Sequence, residues 1–338
     1  MTPAAQRPTG GPPPDLTLAT TIAPSDTSTS IVVPLPDGPQ IETGNVAVAF
    51  HQDIVFATRR LADGTTLDLR LDLLVPATTT TPGLVVYVPG GGFVFPAREV
   101  GQQRKIYLAE AGYAVASIDY RTVLNGATLG DAVADVKAAI RFLRGHANEF
   151  GFAADRTALW GESAGGYIAA MAALTQRPRV FDDLDAAPSA NVIRAVIDCF
   201  GPSHLAKLAD DFDAAAREEH LKPGSAAAAF VFGPGTDKSL ADDPDLVAAA
   251  DPASLVTPDA PPFLLLHGSA DNLVSPSQTL LLHSALLASG VESTRYVLDG
   301  AGHGDIALML GRPEEALPWS TKQTLGFAID FLDRHLKN

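Results

Sequence analysis

Two hydrophobic periods divide the chain. From about Val46 the pattern becomes strand-like: Val46 to Ala57, then the pair Asp63-Gly64, after which Leu67, Leu69, Leu71 and Leu73 alternate with Asp68, Arg70 and Asp72. A period of two puts one row of side chains on a core and the other in water. Asp-Gly suits a tight turn, so the region predicts a half-buried antiparallel hairpin at a sheet edge. After residue 83 the apolar runs become nearly unbroken: Leu84–Val88, Ala114–Ile118, Ala158–Trp160, Ala195–Ile197 and Phe263–Leu266. Such runs, spaced by helical segments, mark parallel strands covered on both faces. The helical segments show their own period. Val133, Val136, Ile140 and Leu143 recur every three or four residues, and Leu325, Ala328, Ile329 and Leu332 oppose Asp330, Asp333 and Arg334. Both patterns predict amphipathic helices. The predicted class is α/β: a mixed, mostly parallel sheet flanked by helices, whose first strands are antiparallel.

One connection is too long for a simple crossover. About sixty residues separate the strand ending at Phe200 from the strand starting at Phe263, with helical stretches near 206–219 and 245–250 and a Gly233-Pro234-Gly235 break between them. An insertion of this length predicts a helical cap over residues 203–260. It carries eleven acids against four Lys and Arg, a net of −7 within a chain of net charge −15. A solvated helical face and an electrostatic role explain that charge equally well. At the other end, residues 1–40 hold nine prolines and no aromatic residue. Proline fixes φ and removes a donor, so this segment is expected to be an extension, without regular structure until it docks. The main domain is placed at 41–338.

Composition narrows the function. With 338 residues and 46% hydrophobic positions the chain has ample material for one large core. Its acidic balance excludes the basic face that nucleic acid or an anionic membrane surface requires. No apolar run approaches the ~20 residues of a membrane span. Residues 1–10 lack a signal-peptide pattern, and the cytoplasm is the expected compartment. Cys199 is the single cysteine, so no internal disulfide and no thiolate metal site is expected. Its apolar neighbours Val196, Ile197 and Phe200 predict a buried thiol.

The chemistry centres on Gly161-Glu162-Ser163-Ala164-Gly165, which follows the strand Thr157–Trp160 and precedes the helical run Tyr167–Leu174. Strand, tight turn and helix are the context a nucleophile elbow needs. The turn presents the Ser163 oxygen at a helix N-terminus, where developing negative charge is favoured. A serine needs a base, and the base needs an orienting acid, in the chain order Ser, acid, His. Asp271 lies in His267-Gly268-Ser269-Ala270-Asp271, and His303 in the glycine-rich Asp299-Gly300-Ala301-Gly302-His303-Gly304. Both follow strands at their carboxyl ends, where open α/β sheets build sites. Asp299 is the runner-up acid. His267 breaks the chain order and is read as a structural hydrogen-bonding residue. Glu162 is read as bracing the elbow. Pro89-Gly90-Gly91-Gly92-Phe93 follows the strand Leu84–Val88 and can turn backbone N–H groups toward an oxyanion; no Lys-Ser/Thr follows, which speaks against a phosphate loop.

With these motifs the chain resembles α/β-hydrolase esterases and lipases related to hormone-sensitive lipase, and among them esterases described as bifunctional feruloyl and acetyl xylan esterase-like. Asp119-Tyr120-Arg121, Asp135–Leu143, Gly161–Gly166, Phe200-Gly201-Pro202 and Ala260–Leu264 carry the resemblance, which spans roughly residues 45–336. It implies the α/β-hydrolase fold, with Ser163 as nucleophile, Asp271 as acid and His303 as base. Gly91, Gly92 and Ala164 become the oxyanion donors. It further implies a small-molecule ester substrate, short in its acyl chain, and neither metal nor cofactor; the sequence also admits a homodimer. One departure stands out: the family usually carries His where this chain has Pro89, and that His braces the loop. An aryl-formamidase, amidase or peptidase would use the same triad. A non-catalytic receptor on this fold would tend to lack the triad His, and His303 is present.

Overall fold

The change of period at residue 83 is a change of sheet environment. In the computed structural model, residues 18–34, 38–176, 181 and 193–337 are described. Among them run the strands β1 (Ile31–Val33), β2 (Val48–Arg60), β3 (Thr66–Pro76), β4 (Gly83–Val88), β5 (Tyr113–Ile118), β6 (Ala153–Glu162), β7 (Ile193–Cys199), β8 (Phe263–Gly268) and β9 (Ser293–Leu298). They form one sheet in the order β1-β9-β8-β7-β6-β4-β5-β3-β2. The alternating region is the antiparallel pair β2–β3 at one edge, and β3 joins β5 antiparallel. The other pairings are parallel. β4, β5 and β8 are buried at every position, which is why they read as continuous apolar runs.

The helices are α1 (Gln102–Glu110), α2 (Leu129–Gly145), α3 (Ala147–Phe150), α4 (Ala164–Leu174), α5 (Ala214–Leu221), α6 (Ala226–Phe232), α7 (Pro244–Ala249), α8 (Ser277–Ala288), α9 (Ile306–Met309), α10 (Pro313–Ala316) and α11 (Lys322–Leu336). α2 starts with a reciprocal cap between Thr128 and Asp131, and its Val133, Val136, Ile140 and Leu143 enter one core. Leu325, Ala328 and Leu332 of α11 enter the other. Each sheet face thus has its own core. All of α4 is buried, so it shows no amphipathic period.

The insertion after β7 holds α5, α6 and α7. Asp213, Ser225 and Asp243 cap them by accepting from the N–H groups of Ala216, Ala228 and Leu246. Phe230, Leu240 and Val247 tie the insertion to the core beneath. Cys199 is buried, and burial pushes its thiol pKa well up.

Residue 40 does not coincide with a structural boundary. Ile31, Val32 and Val33 pair in parallel with Tyr296, Val297 and Leu298, so the segment adds the edge strand beyond β9. Earlier residues bond the rest of the domain: Ala19 N–H to the Asn272 carbonyl at 3.0 Å, Ala23 N–H to the Asp211 carbonyl at 3.0 Å, and Thr20 to the Asp213 carboxylate. A three-residue strand between prolines has no period to betray it. Its docking is dictated by β9, whose backbone groups would otherwise line an open edge. Residues 1–17 lie outside the described part.

Candidate active site

The elbow forms where β6 runs into α4 with one residue between them. Ser163 has φ of +53°, a conformation that strains a residue with a Cβ. Three hydrogen bonds hold it: Ser163 N–H donates to the Cys199 carbonyl at 2.9 Å, and its own carbonyl accepts from Gly166 at 2.9 Å and Tyr167 at 3.2 Å. Glycine is demanded by close approach. A Cβ on Gly161 would lie 2.2 Å from the Gly165 carbonyl oxygen, and one on Gly165 would lie 2.1 Å from that of Val88.

Against this turn the fold brings the two loops singled out by their glycines. Ser163 Oγ lies 2.8 Å from His303 Nε2, and His303 Nδ1 lies 2.7 Å from Asp271 Oδ2. Asp271 is fully buried, and its Oδ1 accepts from the N–H groups of Leu273 and Val274 at 3.0 Å each. Burial alone would raise its pKa. The imidazole of His303 beside it, with hydrogen bonds from His267 and His303, outweighs burial and holds the carboxyl well below the usual range. Asp299 is exposed and accepts from the Ser269 hydroxyl at 3.1 Å, so it joins the histidine loop to the acid loop and does not face the imidazole. The Phe200 ring packs 4.6 Å from the His303 ring, and Trp319 Nε1 donates to the Gly302 carbonyl at 3.0 Å. Both fix the loop that carries the histidine.

The Gly90–Phe93 loop passes directly beside the serine, since a Cβ on Gly90 would lie 3.0 Å from Ser163 Cβ. Gly91, Gly92 and Phe93 have φ of +142°, +58° and +64°. Phe93 tolerates this because its ring is stacked on Phe230 of α6 at 4.3 Å and meets Tyr167 edge-on at 5.5 Å. The Tyr120 hydroxyl donates to the Pro89 carbonyl at 2.8 Å. The bracing absent with the usual histidine therefore comes from Tyr120 behind the loop and Phe230 above it. Ala164 opens α4 on the opposite side of Ser163.

Arg104 of α1 escaped the sequence reading. Its guanidinium is buried and bonds both oxygens of Asp305 at 2.8 Å and Glu162 Oε2 at 3.2 Å. It thus ties the residue before the serine to the residue two beyond the histidine. Burial opposes the charge, but Glu162 and Asp305 outweigh it and hold the guanidinium protonated. Glu162 was legible as a brace; its partner, far away in sequence, was not. Among the described residues no group of three or more His, Cys, Asp or Glu is arranged to hold a metal ion, and no helix is long and apolar enough to cross a membrane.

With this geometry in hand, the comparisons with known proteins fall into place. The BD-FAE family model matches residues 71–286, from the middle of β3 to α8. The chain belongs to the BD-FAE family. This BD-FAE member is 29% identical over 240 residues to an isoprenylcysteine alpha-carbonyl methylesterase of Arabidopsis thaliana, covering 71% of this chain and 54% of that protein. It is 29% identical over 224 residues to Esterase LipC of Mycobacterium tuberculosis (strain ATCC 25618 / H37Rv), covering 65% of this chain and 52% of that protein. The chain thus spans about half the length of the curated relatives it matches. Among solved structures, a truncated carbohydrate esterase from gut microbiota superposes with a TM-score of 0.69 at 23% identity, covering 89% of this chain and all of that one. Esterase 2 of Thermogutta terrifontis, phosphonylated by sarin, superposes at 0.64 and 23% identity, covering 87% and 96%. The fold of this BD-FAE member is the α/β-hydrolase fold.

Proposed function

We propose that the protein is a serine carboxylic ester hydrolase acting on short-chain, neutral esters. The observation that carries the reading is the chain of two hydrogen bonds, 2.8 Å and 2.7 Å, from Ser163 through His303 to a buried carboxylate. Ser163 Oγ attacks the ester carbonyl carbon while His303 Nε2 takes the hydroxyl proton. The carbonyl oxygen becomes an oxyanion, received by the N–H groups of Gly91, Gly92 and Ala164. The tetrahedral species collapses, the C–O bond to the alcohol breaks, and His303 returns its proton to the departing alkoxide. Water then gives a proton to His303 and attacks the acyl-enzyme; collapse releases the acid and restores the Ser163 hydroxyl. Asp271 keeps the Nδ1–H of His303 in place and offsets the imidazolium charge throughout.

Relatives named esterase or methylesterase support ester hydrolysis, and a phosphonylated structural neighbour supports a covalent intermediate. Short acyl groups are expected because the insertion is tied to the loop beside Ser163 by the Phe93–Phe230 stack. The insertion's net −7 disfavours anionic acyl groups. The test is a series of p-nitrophenyl esters of rising acyl length, with p-nitroacetanilide and a succinyl ester alongside. We expect the highest kcat/KM for acetyl to butyryl esters, little anilide cleavage and a poor succinyl substrate. An anilide cleaved as fast as the matching ester, or a rate jump on emulsified long chains, contradicts the reading.

A further inference from the structure

We propose that His267 is a positioning residue for the acid of this site: Arg295 and Thr279 favour the tautomer whose Nε2–H lies between the Val274 carbonyl and Asp271 Oδ2. The inference rests on the triad reading above and names a group on which that triad depends.

A buried line of contacts leads from Arg295 to Asp271. Arg295 of β9, Thr279 of α8 and His267 of β8 are each 1% exposed or less. Arg295 has only donors. Its Nε lies 3.0 Å from Thr279 Oγ1, its Nη2 donates to the Pro276 carbonyl at 2.8 Å and its Nη1 to Ser30 Oγ at 2.6 Å. Thr279 Oγ1 is therefore an acceptor toward Arg295. A hydroxyl oxygen engaged by a cation becomes the better donor; its two acceptors are His267 Nδ1 at 3.0 Å and the Pro276 carbonyl, already taken by Arg295, at the longer 3.4 Å. At the other ring nitrogen the requirement is the same. Nε2 faces two groups that can only accept, the Val274 carbonyl at 3.0 Å and Asp271 Oδ2 at 3.2 Å. Both ends agree on a neutral ring protonated at Nε2. Burial and the positive Arg295 also disfavour the doubly protonated ring.

Asp271 thereby has four donors around it: two backbone N–H groups on Oδ1, His303 Nδ1 on Oδ2, and His267 Nε2, 3.2 Å from Oδ2, whose one hydrogen is shared with the closer Val274 carbonyl. The oxygen that orients the base is the one His267 shares. Without that donor the carboxylate is freer to swing and more basic, and a more basic carboxylate holds the His303 proton more tightly. The charged and titratable groups that face this ring are Asp271 on its own loop, His303 beyond it and Arg295 from β9; Arg295 in turn faces Asp211 from the cap and Asp26 from the N-terminal segment.

The experiment is the pH profile of kcat/KM on one activated ester for the wild type, His267→Phe, His267→Gln, Thr279→Val and Ser163→Ala. For His267→Phe we expect kcat to fall roughly ten- to a hundredfold with KM within about twofold. The acidic limb should rise by roughly half to one pH unit. Glutamine keeps an N–H donor near the Nε2 position and an acceptor for Thr279, so His267→Gln should recover most of both quantities. Thr279→Val should move the limb the same way by less. A merely structural histidine would lower thermal stability without moving the limb. A folded His267→Phe enzyme with an unmoved limb and kcat within about twofold of wild type overturns the proposal, as does a glutamine variant no better than phenylalanine. If His267→Phe does not fold, the Thr279→Val limb decides: a rise supports the relay and an unmoved limb refutes it. Activity surviving in Ser163→Ala would overturn the triad reading itself, an outcome separate from any result at position 267.

Discussion

At the elbow, strand, nucleophile and helix follow one another without a gap, and the glycines that permit the turn lie within three residues of Ser163. Across from it, the loop of His303 is held by Arg104 from α1, Phe200 from the end of β7 and Trp319 from the segment before α11. The acid loop is likewise held from outside, by Asp299, which accepts from Ser269, and by the Ala19–Asn272 backbone bond. The serine's turn is written mainly in the residues beside it, with the Cys199 carbonyl as a distant partner, whereas the positions of the acid and base depend on elements from across the fold. Substitutions of the elbow glycines should therefore act chiefly on the nucleophile, and substitutions far away in sequence on the alignment of the acid and base.

The largest effect expected on the partner side is at the base. His303→Ala should lower kcat by about 10⁵–10⁶, close to the loss of the serine, because the members act as one unit. Asp271→Asn should cost about 10⁴, since the imidazole remains but its tautomer is wrong. Steady-state kinetics on one activated ester checks both. If Asp271→Asn is silent while Asp299→Asn is not, the loops are used differently from this account.

A smaller effect sharpens the comparison further. Arg104→Met leaves the carboxylates of Glu162 and Asp305 without their shared cation. We expect kcat to fall roughly ten- to a hundredfold with little change in KM, together with a lower melting temperature. Arg104→Lys should recover the charge but not the two-pronged grip on Asp305, and so should fall between the two. Unchanged kcat in Arg104→Met would mean that the histidine loop needs no tie to the elbow.

The same division explains what could be read from the sequence. The change of period at residue 83, the strand–turn–helix around Ser163 and the glycine-flanked loops of Asp271 and His303 are local signals, and each lies where its spacing predicted. The helical insertion between β7 and β8 was foreshadowed by the length of that connection, although the alanine-rich α6 shows no polar period. What stayed hidden is pairwise and distant. No spacing links Arg104 to Glu162 and Asp305, 58 and 201 residues away. Nor does any link Tyr120 to Pro89, or Phe230 to Phe93. The strand Ile31–Val33 was hidden for the same reason, since its structure comes from the edge of β9. His267 was visible as a structural hydrogen-bonding residue, but its burial and its place beside Asp271 depend on contacts with Thr279 and Val274 that no spacing announces.

The central claim, that the strained Ser163 is the nucleophile, has a direct test in intact-mass and peptide-level mass spectrometry after stoichiometric reaction with a fluorophosphonate. The account predicts one adduct per chain, on the peptide carrying Ser163, with ester hydrolysis lost in proportion to labelling and no adduct in Ser163→Ala. Inactivation with the adduct on another residue, or full labelling of Ser163 with hydrolysis intact, would contradict it.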